Sequence, residues 1–135
     1  MAYEIGECGG TLIREDHKPT LPLFPSGATR DTAQGKPDYA GYLSPLVVQR
    51  FGQYMLQHQT QSDGTQRASD NWKRGIPRKE YFSSLLRHFL DVWLLHEEYP
   101  AATKNLEDAL CALFFNVQGY LHETLLNREE KDAPR

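Results

Sequence analysis

Residues 106–117, LEDALCALFFNV, decide how the rest of the chain is read. Apolar side chains surround almost the whole circumference of this segment, with Asp108 and Asn116 falling to one side of it. A helix that is apolar on every side is a buried helix. A carboxylate and an amide on a buried helix need partners: a metal, a base or another polar side chain. The segment is therefore both the expected centre of the core and the first candidate for a site.

Working outward, Leu106, Leu110, Leu113, Phe114, Val117 and Leu121 extend the apolar stripe and predict a helix over residues 103–127. Phe82, Leu85, Leu86, Phe89, Leu90 and Trp93 predict a second helix over 78–98, stopped by Tyr99-Pro100. A further helix opens at Ser44, which can cap it, with Pro45 suited to the first helical position. Val47, Phe51, Tyr54, Met55 and His58 then repeat at three- and four-residue spacing. Between these helices lie a polar stretch, 59–68, with an Asp63-Gly64 turn, and the loop SDNWKRGIP, 69–77. The only strand signal is a short one at 11–14. Three helices of several turns each predict an all-α bundle. Residues 1–25, rich in Gly and Pro, read as an extended arm. Residues 26–127 read as one helical domain that opens with the irregular segment 26–42, and 128–135 as a charged tail that frays.

Composition sets the outer bounds. The chain has 135 residues, 39% of them hydrophobic and 24% charged, enough for one globular domain with one core. A net charge of −3 with no cationic helix face argues against a nucleic-acid groove. The two cysteines, Cys8 and Cys111, make neither a disulfide framework nor a zinc site, which predicts a reducing, cytoplasmic setting. No apolar run is long enough to span a membrane, and the first residues do not resemble a signal peptide.

Two groups of residues carry candidate chemistry. At about 100° per residue, Asp108, Ala112, Asn116 and Glu123 share one side of the last helix, with Ala112 and Gly119 leaving room above it. Ser84, His88 and Asp91 lie beside the stripe of the preceding helix. If the two helices pair antiparallel, His88 and Asp91 can meet Asn116 and Asp108. Such a set suits Mg²⁺ or Mn²⁺ and the hydrolysis of a nucleotide phosphoanhydride. The plainer reading has Asp91 and Glu98 on a solvated face, Asp108 favoured by the helix dipole in a first turn, and His88 packed with its tautomer set by Asp91. Glu97, near the end of its helix, could reach a metal or simply face solvent. The second group is the 69–77 loop. Asn71 and Trp72 with Lys73 and Arg74 compose a base-and-phosphate pocket, or a Trp that plugs the core while its cations solvate. Lys36 follows Gly35 without the spacing of a P-loop.

The segments SGATRDTAQGKPDY, SDNWKRGIP, LLRHFLDVW and DALCALFFN, in that order, resemble the landmarks of a phage- and bacteria-encoded family, the dATP/dGTP diphosphohydrolase N-terminal domain family. Its pattern runs G-A-x-R-x-x-x-x-G-K, N-W-x-K-G-I-P, A-L-R-H and D-H-L-x-H-A-x-x-N, and the likeness covers residues 26–125. The family is related to MazG-like all-α nucleoside triphosphate pyrophosphohydrolases. The resemblance implies a MazG-like helical core, a homo-oligomer (dimer or tetramer), a nucleotide partner, a bound Mg²⁺ (or Mn²⁺), and a host cytoplasm if the chain is phage-encoded. It implies cleavage of a purine (deoxy)nucleoside triphosphate to monophosphate and pyrophosphate. For that reaction the catalytic candidates are His88, Asp108 and Asn116, which the resemblance carries, with Asp91, which helix spacing adds. Asp91, Glu97, Glu107 and Asp108 are the metal candidates. Asn71, Trp72, Lys73, Arg74, Arg87 and Lys36 are the substrate-binding candidates. Ala109 and Ala112 stand where typical members carry histidines, and the paired E-x-x-E and E-x-x-D motifs of MazG-like enzymes are missing. A non-catalytic nucleotide binder, serving sequestration or anti-defence, is the alternative.

Overall fold

The computed structural model describes residues 21–102 and 104–132, with side chains to Asn127. Most of the expected arm, its strand at 11–14, Cys8 and the last three residues of the tail lie outside that range. The chain divides after Tyr39 into two compact units. The described part of the first is irregular, as its Gly and Pro content dictates. Leu23 and Thr29 form one antiparallel bridge, and a turn follows in which Lys36 N–H donates to the Ala33 carbonyl at 3.0 Å. Lys36 belongs to this unit.

The second unit is helical, and the fold is all-α. After the single turn α1 (Tyr39–Tyr42) come α2 (Pro45–Gln57), a 3₁₀ turn (Asn71–Arg74), α3 (Arg78–His96) and α4 (Leu106–Asp132). β structure among the described residues is confined to two isolated bridges. No helix among them is long and apolar enough to cross a membrane.

Local chemistry sets the helix ends. Ser44 Oγ accepts from Val47 N–H at 3.4 Å, and Pro45 occupies the first turn of α2. Glu98, at φ 57°, closes α3: its N–H donates to the Leu95 carbonyl at 3.2 Å and Tyr99 N–H to the Leu94 carbonyl at 3.0 Å. That is a Schellman closure with a non-glycine residue in the left-handed position. α4 starts three residues later than expected, because Asn105 is its cap. Asn105 Oδ1 accepts from Asp108 N–H at 2.8 Å. At the other end the helix continues to Asp132, since NREEKD contains no breaker and consists mostly of good helix formers.

α3 and α4 pair antiparallel and supply most of the packing. Tyr81, early in α3, is 1% exposed and sits on Gly119, at the middle of α4. Its ring meets Phe115 edge-on, with centroids 6.1 Å apart. Ala109, Cys111, Ala112 and Asn116 complete the buried set on α4. α2 lies against the opening turns of α4, where Phe51 meets Phe114 edge-on at 4.7 Å.

Candidate functional site

The cavity of the helical unit encloses about 530 Å³ between α2, the 59–70 loop, the 3₁₀ turn and α4. One wall is Phe51, Tyr54 and Met55 of α2 with His58, which caps that helix. Phe115 and Gln118 of α4 form the opposite wall, and Asn71, Trp72 and Ile76 form the end of it nearest α3. The volume falls within the 300–1,000 Å³ of small-molecule sites, and the lining is mainly apolar with a few converging polar groups, as such sites require.

Each wall has a local cause. Trp72 is half-buried because its ring packs edge-on against His122 at 4.9 Å and Phe115 at 6.3 Å, one helical side of α4. Gly75, at φ 104°, lets the chain leave the 3₁₀ turn and enter Pro77 and α3. Lys73 Nζ lies 5.7 Å from the Trp72 ring centroid, within cation–π range. At the end of α2, His58 stacks on Tyr54 with centroids 4.1 Å apart. Its Nδ1–H donates to the Tyr54 carbonyl at 2.8 Å, which leaves Nε2 as the ring's acceptor. The rim is a closed turn: Thr60 bridges Gln66, Gln61 N–H donates to the Thr65 carbonyl at 2.8 Å, and Asp63 Oδ1 accepts from the Thr65 hydroxyl at 2.6 Å. The Thr65 hydroxyl and N–H hold the Asp63 carboxyl below its usual range.

A charged cluster adjoins the cavity. Arg50, the sole charged residue of α2, donates through Nε to Glu107 at 2.7 Å and through Nη2 to Asp108 at 2.6 Å. Asn105 Nδ2 donates to the other Asp108 oxygen at 2.9 Å. Hydrogen bonding by Arg50, outweighing partial burial and aided by Asn105, holds the Asp108 carboxyl below the ordinary carboxylate range. Burial first, and then the charge of Asp108, push the Tyr54 hydroxyl upward. Cys111, one turn on, is buried, and its thiol is pushed up chiefly by that burial.

The other expected site residues are distributed differently. Asn71 and Trp72 line the cavity, as the base-pocket reading requires. His88 Nδ1 and Asp91 Oδ2 stand 3.3 Å apart, and Lys104 Nζ donates to Asp91 at 3.1 Å. Partial burial raises the Asp91 carboxyl, but Lys104 and His88 together outweigh it and leave the carboxyl below its usual range. Arg87 folds back along its own helix onto the hydroxyls of Ser83 (3.0 Å) and Ser84 (2.8 Å). Asn116 Nδ2 donates to the Ala112 carbonyl of its own helix at 2.8 Å. Glu97 is the C-terminal cap of α3, and Arg74 ends the 3₁₀ turn.

The antiparallel pairing thus exists, but His88–Asp91 meets Lys104, while Asp108 meets Arg50 and Asn105. The room expected above Gly119 is filled by Tyr81. No three His, Cys, Asp or Glu side chains gather as a ligand set among the described residues. Glu107 and Asp108 could supply the one or two carboxylates that Mg²⁺ takes beside phosphate. As they stand both are ion-paired with Arg50, so the resting donor set fits an ion-paired cluster rather than a metal site. Arg50, Asn105 and Lys104 are the residues that sequence reasoning missed. Asn105 carried a signal, an amide three residues before a carboxylate at a helix start. Arg50 carried only its singularity on an otherwise uncharged helix.

Family models, curated proteins and solved structures were each compared with the chain, and none of them matches it.

Proposed function

We propose that the protein binds a purine (deoxy)nucleoside triphosphate in the cavity between α2 and α4. The observation that carries this reading is a cavity of nucleotide-binding size whose end wall is Trp72 and Asn71. An indole offers a stacking face, the neighbouring amide offers a donor and an acceptor for a base edge, and Arg67 and Lys73 supply cations at the rim. The four ordered motifs that resemble the phage and bacterial dATP/dGTP diphosphohydrolase family support the same substrate class.

Hydrolysis to monophosphate and pyrophosphate is the second reading, favoured by the place of Asp108. It shares a side of α4 with Phe115, which lines the cavity two turns on, about 10 Å along the axis. A base seated at Trp72 would then direct its phosphates toward Arg50, Glu107 and Asp108, and Arg50 would have to change partners to release the carboxylates. Equilibrium binding of dATP, dGTP and their ribose forms, with and without Mg²⁺ or Mn²⁺, tests the first reading. Saturable purine binding is expected, weakened about 10- to 100-fold in Trp72→Ala, the range for loss of one stacked base. Absence of binding under every metal condition would overturn it. Release of pyrophosphate, lost in Asp108→Asn, would establish the second reading.

A further inference from the structure

α3 is apolar over half its circumference, and α4 covers only half of that. Tyr81, Leu85, Val92 and Leu95 lie on the arc centred on the Gly119 contact. About 100° round the helix, Phe82, Leu86, Phe89 and Trp93 form a second stripe, each of them 50–56% exposed. On α4 the side toward α2 and the cavity is taken by Asp108, Cys111, Phe115, Gln118 and His122. Right-handed helical geometry puts Leu106, Leu110 and Val117 on the other side, 45–47% exposed. In an antiparallel pair these two uncovered sets fall on one face of the hairpin, opposite the cavity. Half-exposed aromatics and aliphatics of this number leave roughly 600 Å² of apolar surface, at the top of what a monomer shows and approaching the ~800 Å² per partner of a standard interface.

The pattern of the stripe identifies its occupant. Phe82, Leu86, Phe89 and Trp93 are spaced four, three and four, a sequence that reads the same in both directions about its midpoint. Lys79 and Glu97 flank it at equal distances from nearly the same midpoint. They are eighteen residues apart, which is five whole turns, so they stand on one edge of the helix. A second α3 laid antiparallel across a two-fold axis at that midpoint sets Phe82 against the partner's Trp93 and Leu86 against the partner's Phe89. It also brings Lys79 to the partner's Glu97, twice. A surface that complements itself in shape and in charge is what an isologous interface requires. Neither terminal segment carries a matching stripe. Residues 1–20 hold five large apolar side chains (Met1, Tyr3, Ile5, Leu12 and Ile13), and residues 128–135 hold none.

We propose that a second copy of this chain docks on the face of the α3–α4 hairpin opposite the cavity, with the two α3 helices antiparallel about the Leu86–Phe89 midpoint. Light scattering coupled to gel filtration, and sedimentation equilibrium over a range of concentrations, test it on the full-length chain. A mass twice the 15.5 kDa of one chain is expected. Phe89→Asp should reduce the mass to that of one chain. Because that variant can fail to fold, the deciding series uses exposed charges. Lys79→Glu and Glu97→Lys should each weaken the dimer about tenfold, and the double swap, Lys79→Glu with Glu97→Lys, should restore its dissociation constant to within about twofold. A monomer at every concentration overturns the proposal. So does a dimer whose dissociation constant is unmoved by either single reversal, or one weakened further by the double swap.

Discussion

Replacing Gly119 by alanine should destabilise the helical unit, although alanine is the better helix former. Gly119 is helical, so the substitution gains about 1 kcal/mol of helix propensity. The added Cβ, however, would lie against Cε1 and Cζ of Tyr81 and 2.8 Å from its Oη. Tyr81 is 1% exposed and cannot swing into solvent without leaving the core. Over-packing of this kind costs about 1–3 kcal/mol, and expelling the ring would cost about 3–5 kcal/mol. At separations this far inside van der Waals contact the cost lies at the upper end, so after the propensity gain the balance is a loss of about 2–4 kcal/mol, or a melting temperature lower by very roughly 10–30 °C for a unit of this size. Urea unfolding followed by far-ultraviolet circular dichroism, at one fixed protein concentration, reads it directly. Gly52→Ala is the control: a Cβ there meets nothing within 4 Å, so the propensity gain should appear alone as about 0.5–1 kcal/mol of added stability. Pairing Gly119→Ala with Tyr81→Leu should show a favourable coupling of at least about 1 kcal/mol. If Gly119→Ala is as stable as the parent, Tyr81 is not seated on Gly119 and the register of α3 on α4 is wrong.

Glu98→Gly should raise stability by about 1 kcal/mol in the same assay, because the left-handed position that closes α3 strains any side chain and glycine adopts it freely. Asn105→Ala, which removes the cap of α4, should lower stability by about 1 kcal/mol. The Arg50–Asp108 pair should impose an acid limit. Asp108 is held below its usual range when folded, so its contribution is complete above the unfolded value of about 3.9 and is lost as pH falls through the folded value. The stability difference between the parent and Arg50→Gln should accordingly be constant near neutrality and shrink progressively as pH falls below the unfolded value and Asp108 is protonated. A difference that does not shrink would mean that Arg50 acts through packing rather than charge.

Most of the fold can be read from residue order. Ser44-Pro45 announces the start of α2, and the stripes of α3 and α4 announce two helices that must meet. The cavity-lining residues Asn71 and Trp72 are legible for a similar reason: a large aromatic beside an amide in a loop has to find a wall, and the wall is α4. What a helical projection cannot supply is the neighbour's register. A projection groups Asp108 and Asn116 on one side of one helix. Their partners are fixed instead by where α2 crosses, which brings Arg50 from 58 residues away, and by where Tyr81 lands. The apolar stripe begins only at Leu106 and does not by itself locate a helix start, so the cap at Asn105 is not legible from periodicity. The palindromic spacing on α3 was visible throughout as an apolar stripe, and only the structure shows that α4 leaves it uncovered.

The rim of the cavity has a consequence for how this protein can change. Residues 59–67 close on themselves: Asp63 with Thr65, Gln61 with Thr65, Thr60 with Gln66, and Arg67 N–H with the Gln59 carbonyl at 2.9 Å. A loop that satisfies its own polar groups asks nothing of the helices beneath it. It can gain or lose residues at the Asp63-Gly64 tip while Trp72 stays clamped between Phe115 and His122. The floor of the cavity and its edge are thus separately heritable, and drift at the edge can reshape the mouth without endangering the scaffold beneath it.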